Sequence, residues 1–452
     1  MLILNHIPEN IDYKCKQLLK NISSAATIII VANRMNQCFL EKELDVSPKK
    51  IKLISGELSF DKNALGITTG NAASISSDHI VLAYAKLLQK ISANKNLHYT
   101  VPELTIEQLR ESDFNKFYSE ETLLRSFFHF SSVICAIVQY YRLTEKIHSL
   151  RLLEINLMHL SHCIHQSTED FKNQKTISPK AEHDLAFAFS VMGELLFIKS
   201  KDTIPEKLFL IVEKDYRKIL NLLPQFKNLP ALAVSIKGLY LYNSSIPDNQ
   251  IKELIIQIAD KLIVKYYHDA QIEEEKIWTE KFYHKASSKL SEALLYAFMA
   301  SGKEIYKVLA IITFDWLIAN LFRNGYLGAV SNTETDTSKS FYGSKPVEVT
   351  EVIITLQLFY EQFHDEIYQK YLKTAFSWFT GYNSINTSIY YDDQNICFDG
   401  IAGNQLIPSQ SDLSATNYLI ARILLEINSS ISRKKENIRE KRAKSILINI
   451  NK

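Results

Sequence analysis

Glycine and proline are scarce in this chain, 12 and 10 of 452 residues, where about 7% and 5% are usual. So few residues suited to tight turns exclude a β-sandwich or a propeller and leave long helices. Cysteine is scarce too. The five, at 15, 38, 135, 163 and 397, are odd in number and scattered and form no C-x-x-C, which excludes a disulfide framework and a zinc ribbon. An excess of one charge is also missing. With 52 basic and 50 acidic residues, the chain has no overall footprint for nucleic acid. No hydrophobic run is long enough to span a bilayer: Val308 to Phe322 is too short and contains Asp315. The start, Met1-Leu-Ile-Leu, is too short for a signal peptide. These points predict a cytoplasmic protein without a transmembrane segment. Nothing calls for a cofactor or a metal.

What is present is core. Apolar residues make 46% of the chain and charged ones 23%, which suits a globular protein. Residues 1–95 differ from the rest. Ala26 to Ala32 is a short β-branched run that reads as a buried parallel strand. Met35 to Leu44 reads as a helix and Ile51 to Ile54 as a second strand, giving a small β-α-β unit within 24–55, the only sheet of any size to be expected. Asp78 to Ile91 has helical periodicity with Ser77 as N-cap. Residues 96–118 read as a linker.

From 119 to 445 the periodicity predicts twelve helices, near 120–145, 150–166, 179–199, 204–223, 229–243, 247–268, 287–301, 305–322, 347–362, 366–380, 411–428 and 430–445; 446–452 is a tail. Ser178-Pro179 places a capping hydroxyl before a first-turn proline. Thr203-x-x-Glu206, Ser301-x-x-Glu304 and Ser409-x-x-Asp412 have capping-box spacing. Twelve helices make six pairs, and the long connections 269–286, 324–346 and 381–410 fall between pairs. That order fits an (α/α)6 toroid of six hairpins. The long loops then emerge at the N-termini of the inner helices, where dipole ends and free amides gather.

Those loops are polar and aromatic. They carry Trp278, Glu280, Tyr283, Tyr326, Lys345, Glu348, Asp399 and, at the next helix start, Asp412. Aromatic faces stack on sugar rings, carboxylates accept from sugar hydroxyls, and a carboxylate pair can act as general acid and base. The weak catalytic candidates are Glu280, Glu348, Asp399 and Asp412; the candidates for substrate binding are Trp278, Tyr283, Tyr326, Lys345 and Asp399. The competing reading is that these are ordinary long loops packed down by their aromatics.

Five segments in order carry a resemblance: Trp278-Thr-Glu280-Lys-Phe-Tyr-His-Lys-Ala286, Ser344-Lys-Pro-Val-Glu-Val349, Ala375-Phe-Ser-Trp-Phe-Thr-Gly-Tyr-Asn383, Cys397-Phe-Asp-Gly-Ile401 and Ser409-Gln-Ser-Asp-Leu-Ser414. This stretch resembles the C-terminal part of bacterial family-4-like glycosyltransferases fused to a six-hairpin toroid. Residues 24–54 and Leu82 to Leu88 are similar to the end of the acceptor-side domain of those GT-B enzymes. The resemblance implies a truncated member, because the donor-side domain has no counterpart here. It also implies a degenerate toroid. The family's Tyr-Asp-Asn-Ala reads Tyr283-His-Lys-Ala286, a glutamate position reads Leu413, and an earlier Glu-Asp-x-His-Gly-Arg reads Glu182-His-Asp-Leu-Ala-Phe187. Asp412, one residue away, is a conceivable replacement acid.

Two further patterns are weaker. His159, His162 and Cys163 share one helical face but lack a fourth ligand, so buried or surface histidines explain them better than zinc. Arg433 to Lys444 holds seven basic and two acidic residues and reads as a solvated last helix. Two functions stay open: a carbohydrate-binding toroid in glycan assembly, or a non-catalytic scaffold docking on a complete glycosyltransferase.

Overall fold

The computed structural model describes residues 2–4, 29–31, 46–47, 49, 51–53, 120–145, 150–174, 177–199, 204–272, 287–328, 331–333, 341–391 and 396–450. Among them are eleven α-helices: α1 (Glu120–Thr144), α2 (Leu150–Gln174), α3 (Pro179–Lys199), α4 (Glu206–Leu220), α5 (Leu229–Ser245), α6 (Asn249–Ile272), α7 (Ser287–Ser301), α8 (Glu304–Leu321), α9 (Pro346–Phe363), α10 (Glu366–Ser377) and α11 (Asp412–Ile450).

The contacts between them close a ring. Helix α1 packs on α3, α3 on α5, α5 on α7, α7 on α9, α9 on α11, and α11 returns to α1. The even-numbered helices α2, α4, α6, α8 and α10 each pack outside the odd-numbered helix that precedes them. The burial patterns follow from this placement. Helix α5 is buried at Ala231 through Ile236, again at Gly238 and Leu239, and at Tyr242, the all-round apolar pattern of a helix enclosed on every side. Outer α4 buries only the stripe Leu208, Val212, Asp215, Tyr216 and Ile219, the one-faced pattern of a surface helix. Outer α8 breaks the rule, being buried from Val308 through Asp315. Strand β1 (Leu2–Leu4) of the N-terminal sheet lies against it, which accounts for the longest apolar run in the sequence. No helix among the described residues is long and apolar enough to cross a membrane.

The expected ring is present, and the described residues supply five helical hairpins of it together with α11. The predicted helices 411–428 and 430–445 are one helix, α11, so among the described residues the last inner helix has no separate outer partner. The span from Asp412 to Ile450 contains neither glycine nor proline, so nothing in the backbone forces a break there. Of the predicted caps, Ser178 holds: its Oγ accepts from Ala181 N at 3.2 Å. Ser301 instead ends α7, donating to Ala297 O at 2.6 Å. The start of α11 is capped by Ser411 rather than Ser409, with Ser414 N donating to Ser411 Oγ at 3.2 Å.

The N-terminal strands β1 (Leu2–Leu4), β2 (Ile29–Val31) and β3 (Ile51–Leu53) form a parallel sheet in that order. Ile29 pairs with Leu2 on one side and with Ile51 on the other. The β2–β3 pair was legible in the sequence; β1 was not, because three residues are too few to show a period. The helices expected at 35–44 and 78–91 lie outside the described residues.

This sheet is not the only one of any size. Strands β4 (Ser331–Thr333), β5 (Phe341–Ser344), β8 (Ile401–Ala402) and β9 (Gln405–Leu406) form a four-stranded antiparallel sheet. A two-stranded ladder joins β6 (Tyr390–Tyr391) to β7 (Ile396–Cys397). Strands of two to four residues escape a reading that looks for alternation over longer windows.

Candidate functional site

The small antiparallel sheet gathers the sequence candidates at the N-termini of α9 and α11. Its β5–β8 pairing sets Ser344 opposite Ile401 and brings the 397–411 segment onto the start of α9. Gly400 makes the approach feasible. Its φ is +127°, and a Cβ there would stand 2.3 Å from the Ser344 carbonyl oxygen, so only glycine fits.

The candidates placed here act on the protein itself. Asp399 Oδ1 accepts from Ser411 N at 3.0 Å, Ser411 Oγ at 2.5 Å and Ser414 Oγ at 2.6 Å, so it anchors the first turn of α11. Glu348 Oε2 accepts from Lys345 N at 2.8 Å, reaching back to the N-cap of α9 as a capping glutamate does. Lys345 is exposed at that cap. Tyr326 stands edge-on to Tyr382, ring centres 6.1 Å apart. Asp412 opens α11, and its charge acts on His129 of α1, partly offsetting the lowering of that imidazole by burial. The structure therefore brings Lys345, Glu348, Asp399 and Asp412 to one end of the ring. Trp278, Glu280 and Tyr283 lie outside the described residues. Glu182, from the degenerate motif, is buried and accepts from Lys227 N at 2.9 Å and Asn228 N at 2.6 Å, holding the approach to α5.

Burial alone would raise the Asp399 carboxyl. The hydrogen bonds from Ser411, Ser414 and Ser409 outweigh it and hold the group below its ordinary value. A depressed carboxyl contributes stability that is present above the unfolded value, near 3.9, and is lost as pH falls through the folded one. Asp399→Asn should lower the melting temperature at neutral pH and flatten its decline in acid. Equal acid sensitivity in the two proteins would show that the anchor contributes nothing.

The more unusual chemistry lies in the bore, where sequence reasoning did not look. Five inner helices enclose a cavity of about 20 Å³, lined on its polar side by Ser190, Glu194, Lys237, Lys289, Glu292 and Tyr296. Lys237 on α5 forms an ion pair with Glu194 on α3. Lys289 pairs with Glu292 one turn along α7, at 2.8 Å. Glu194, Lys289 and Glu292 are 5%, 7% and 2% exposed. Burial alone would lower the Lys237 ammonium; Glu194, with Tyr296 and Glu292 behind it, raises it instead. Lys289 is likewise lowered by burial and raised by Glu292 and Glu351, with a net rise. Both lysines are therefore firmly charged. The Glu351 carboxyl is raised by burial, which the pull of Lys289 does not cancel and Glu292 reinforces. Burial also pushes the Tyr296 phenol up, keeping it a donor. Cys135 is pushed up to about 12 by burial and Glu194, so its thiol is inert.

A hydrogen-bonded belt continues from this cluster around the ring. Gln139 Nε2 donates to Glu194 at 3.1 Å, and its oxygen accepts from Arg142 at 2.8 Å. Arg142 also donates to Glu361 at 2.8 Å, and Glu361 accepts from Gln357 at 2.7 Å. Gln357 accepts from Asn428 at 3.0 Å, and Asn428 accepts from Gln369 at 2.8 Å. Each bridging amide both donates and accepts, and the belt runs from the buried cluster out to the exposed Arg142–Glu361 pair. The one available signal was an isolated charge inside an otherwise apolar helix, as with Glu194 in Val191-Met-Gly-Glu-Leu-Leu196 and Lys237 in Ala233-Val-Ser-Ile-Lys237.

The histidine face is an aromatic contact. His159 stacks on Phe130 with ring centres 5.0 Å apart, and burial and His162 lower it to about 4, so it is neutral. No metal-ligating group of three occurs among the described residues.

No protein-family model matches the chain, and no curated protein does. Among solved structures, the cellobiose 2-epimerase from Bacillus thermoamylovorans B4167 is similar at 14% identity and a TM-score of 0.40, covering 67% of this chain and 87% of that one. A sugar epimerase from a ruminal bacterium is similar at 11% identity and a TM-score of 0.37, with the same two coverages. Both scores are too low to define a shared fold, so the ring rests on the helix contacts described above.

Proposed function

We propose that this chain is a saccharide-binding toroid whose binding chemistry centres on the bore cluster. One observation carries the reading: four charged groups and a phenol surround a cavity in the middle of the ring. Desolvated ion pairs are poor stabilisers, and well-packed apolar residues often replace them at no loss. Ionisable groups collected at a cavity with shifted titration are the mark of a functional site. Carboxylates to accept, ammonium and phenol groups to donate, and the Phe187 ring in the same wall suit a ligand with hydroxyls on an apolar frame. Lys345, Glu348, Asp399, Asp412 and Tyr326 are then the scaffold of the mouth, with Trp278, Glu280 and Tyr283 as its proposed stacking and polar groups. The glycan-assembly context, beside a complete glycosyltransferase, belongs to the same proposal.

A second reading has its own observation. Glu348 and Asp399, the best-placed carboxylates of the loop face, are engaged as helix caps. That is how a framework surface looks, and it favours a scaffold that docks on a glycosyltransferase.

The test is a glycan-array screen of the purified chain followed by thermal unfolding with each hit. A ligand at about 100 times its Kd stabilises by roughly 2.7 kcal/mol, so a bound saccharide should raise the melting temperature by several degrees. Failure of every glycan, together with co-purification of a glycosyltransferase, would favour the scaffold.

A further inference from the structure

The bore cavity contains an acceptor with no donor among the described residues. Glu292 is 2% exposed, lines the cavity, and gives one oxygen, Oε2, to the Lys289 ammonium. Its other oxygen, Oε1, is buried and has no hydrogen-bond partner among the described residues. Buried carboxylate oxygens are strongly driven to find a donor. The cavity, at about 20 Å³, has room for about one water-sized group, so what it admits is a single small donor.

The surrounding charges decide which donor. Among the described residues, every nearby cation already has a carboxylate: Lys237 has Glu194, Lys289 has Glu292, and Arg142 has Glu361. An entering phosphate or carboxylate would meet Glu292, Glu194 and Glu351 without a spare cation to balance it. An entering ammonium would meet Lys237 and Lys289. Either would bring an uncompensated charge into a desolvated site, which is costly. A neutral group that can donate meets neither penalty, and a hydroxyl is the smallest such group. Apolar residues, Val191, Ala293 and Ile354 among them, make up the rest of the wall and suit the carbon that bears the hydroxyl at the cavity's edge.

We propose that Glu292 Oε1 accepts a hydroxyl of an uncharged polyol or saccharide, making the bore a subsite that admits neutral hydroxyl groups and rejects phosphorylated or carboxylated ones. This rests on the saccharide reading above and narrows it. A nucleotide sugar or sugar phosphate is thereby excluded from the deep end of the site.

The test is calorimetric titration of the full chain with glucose and maltose, and with glucose 6-phosphate and glucuronate as their charged counterparts. The neutral sugars should bind at least tenfold more tightly than the charged pair. Glu292→Gln should weaken neutral-sugar binding by about tenfold to a hundredfold, the range expected for a hydrogen bond to a charged acceptor. Because Glu292→Gln leaves Lys289 without its partner, the double variant Lys289→Met, Glu292→Gln supplies a neutral, foldable comparison that should show the same loss. Equal or tighter binding of the charged sugars would overturn this inference while leaving the saccharide reading standing. Unaltered neutral-sugar affinity in both variants would also overturn it. Absence of binding by all four would sink both.

Discussion

Lys237→Met should destabilise the ring by about 3–5 kcal/mol, the range seen when one partner of a buried ion pair is removed. The loss does not come from the attraction alone. Glu194 is 5% exposed and, among the described residues, keeps Gln139 as its donor once the ammonium is gone, so a charge is left in the bore. The double variant Lys237→Met, Glu194→Leu should recover much of the loss, since an apolar pair of similar volume fills the same space. A double-mutant cycle in guanidinium chloride, followed by circular dichroism, measures the coupling. The pH dependence has a fixed sign. The folded ammonium lies above its unfolded value, so its contribution is fully present below about pH 10.4 and is lost as pH rises through the folded value. Wild type should therefore weaken in strong alkali more than the double variant. A single Lys237→Met variant that unfolds at the wild-type denaturant midpoint would show that water already solvates the pair.

The helices were legible because their signal is long. Helix α3 and helix α5 are apolar over many residues, and links such as 246–248, 302–303 and 364–365 are marked by a glycine or by polar residues. Ring closure was legible only through counting, because pairing order leaves few arrangements for helices joined by short links. The spans 411–428 and 430–445 are one helix because nothing at Asn428-Ser-Ser430 forbids helical dihedrals. The small sheet was invisible for a different reason: its register is set by Gly400 against Ser344, a contact between residues far apart in sequence.

The site was legible in its periphery and missed in its middle. Lys345, Glu348, Asp399 and Asp412 were found because loops and helix starts display polar residues openly. Their roles were not, because a carboxylate that caps a helix and one that binds a sugar have the same letter. Glu194, Lys237, Lys289 and Glu292 were read as parts of apolar helices, and only the ring shows that they face one another. Gly193 and Gly238 were passed over altogether, although they set that meeting.

Gly238→Val is expected to be the most damaging substitution in the ring, exceeding the loss from Lys237→Met. Helices α3 and α5 touch at their glycines. A Cβ on Gly193 would stand 2.6 Å from the Gly238 carbonyl oxygen and 2.7 Å from its Cα, and one on Gly238 would stand 2.8 Å from a Phe189 ring carbon. Neither backbone can yield without parting the helices, and Tyr216 also donates to the Gly238 carbonyl at 3.3 Å. Overpacking in a close-packed core typically costs about 1–3 kcal/mol, and here a second loss follows. Glu194 and Lys237 are the chain neighbours of these glycines, so parting the helices also stretches the bore ion pair. The milder Gly193→Ala separates the two effects. Alanine favours the helix by roughly 0.5–1 kcal/mol over glycine, so a net loss of stability must come from the crossing. It should be accompanied by weaker neutral-sugar binding even at temperatures where the variant is fully folded. A Gly193→Ala protein that is more stable than wild type would show that the helices separate freely and that the glycines do not set the geometry of the pair.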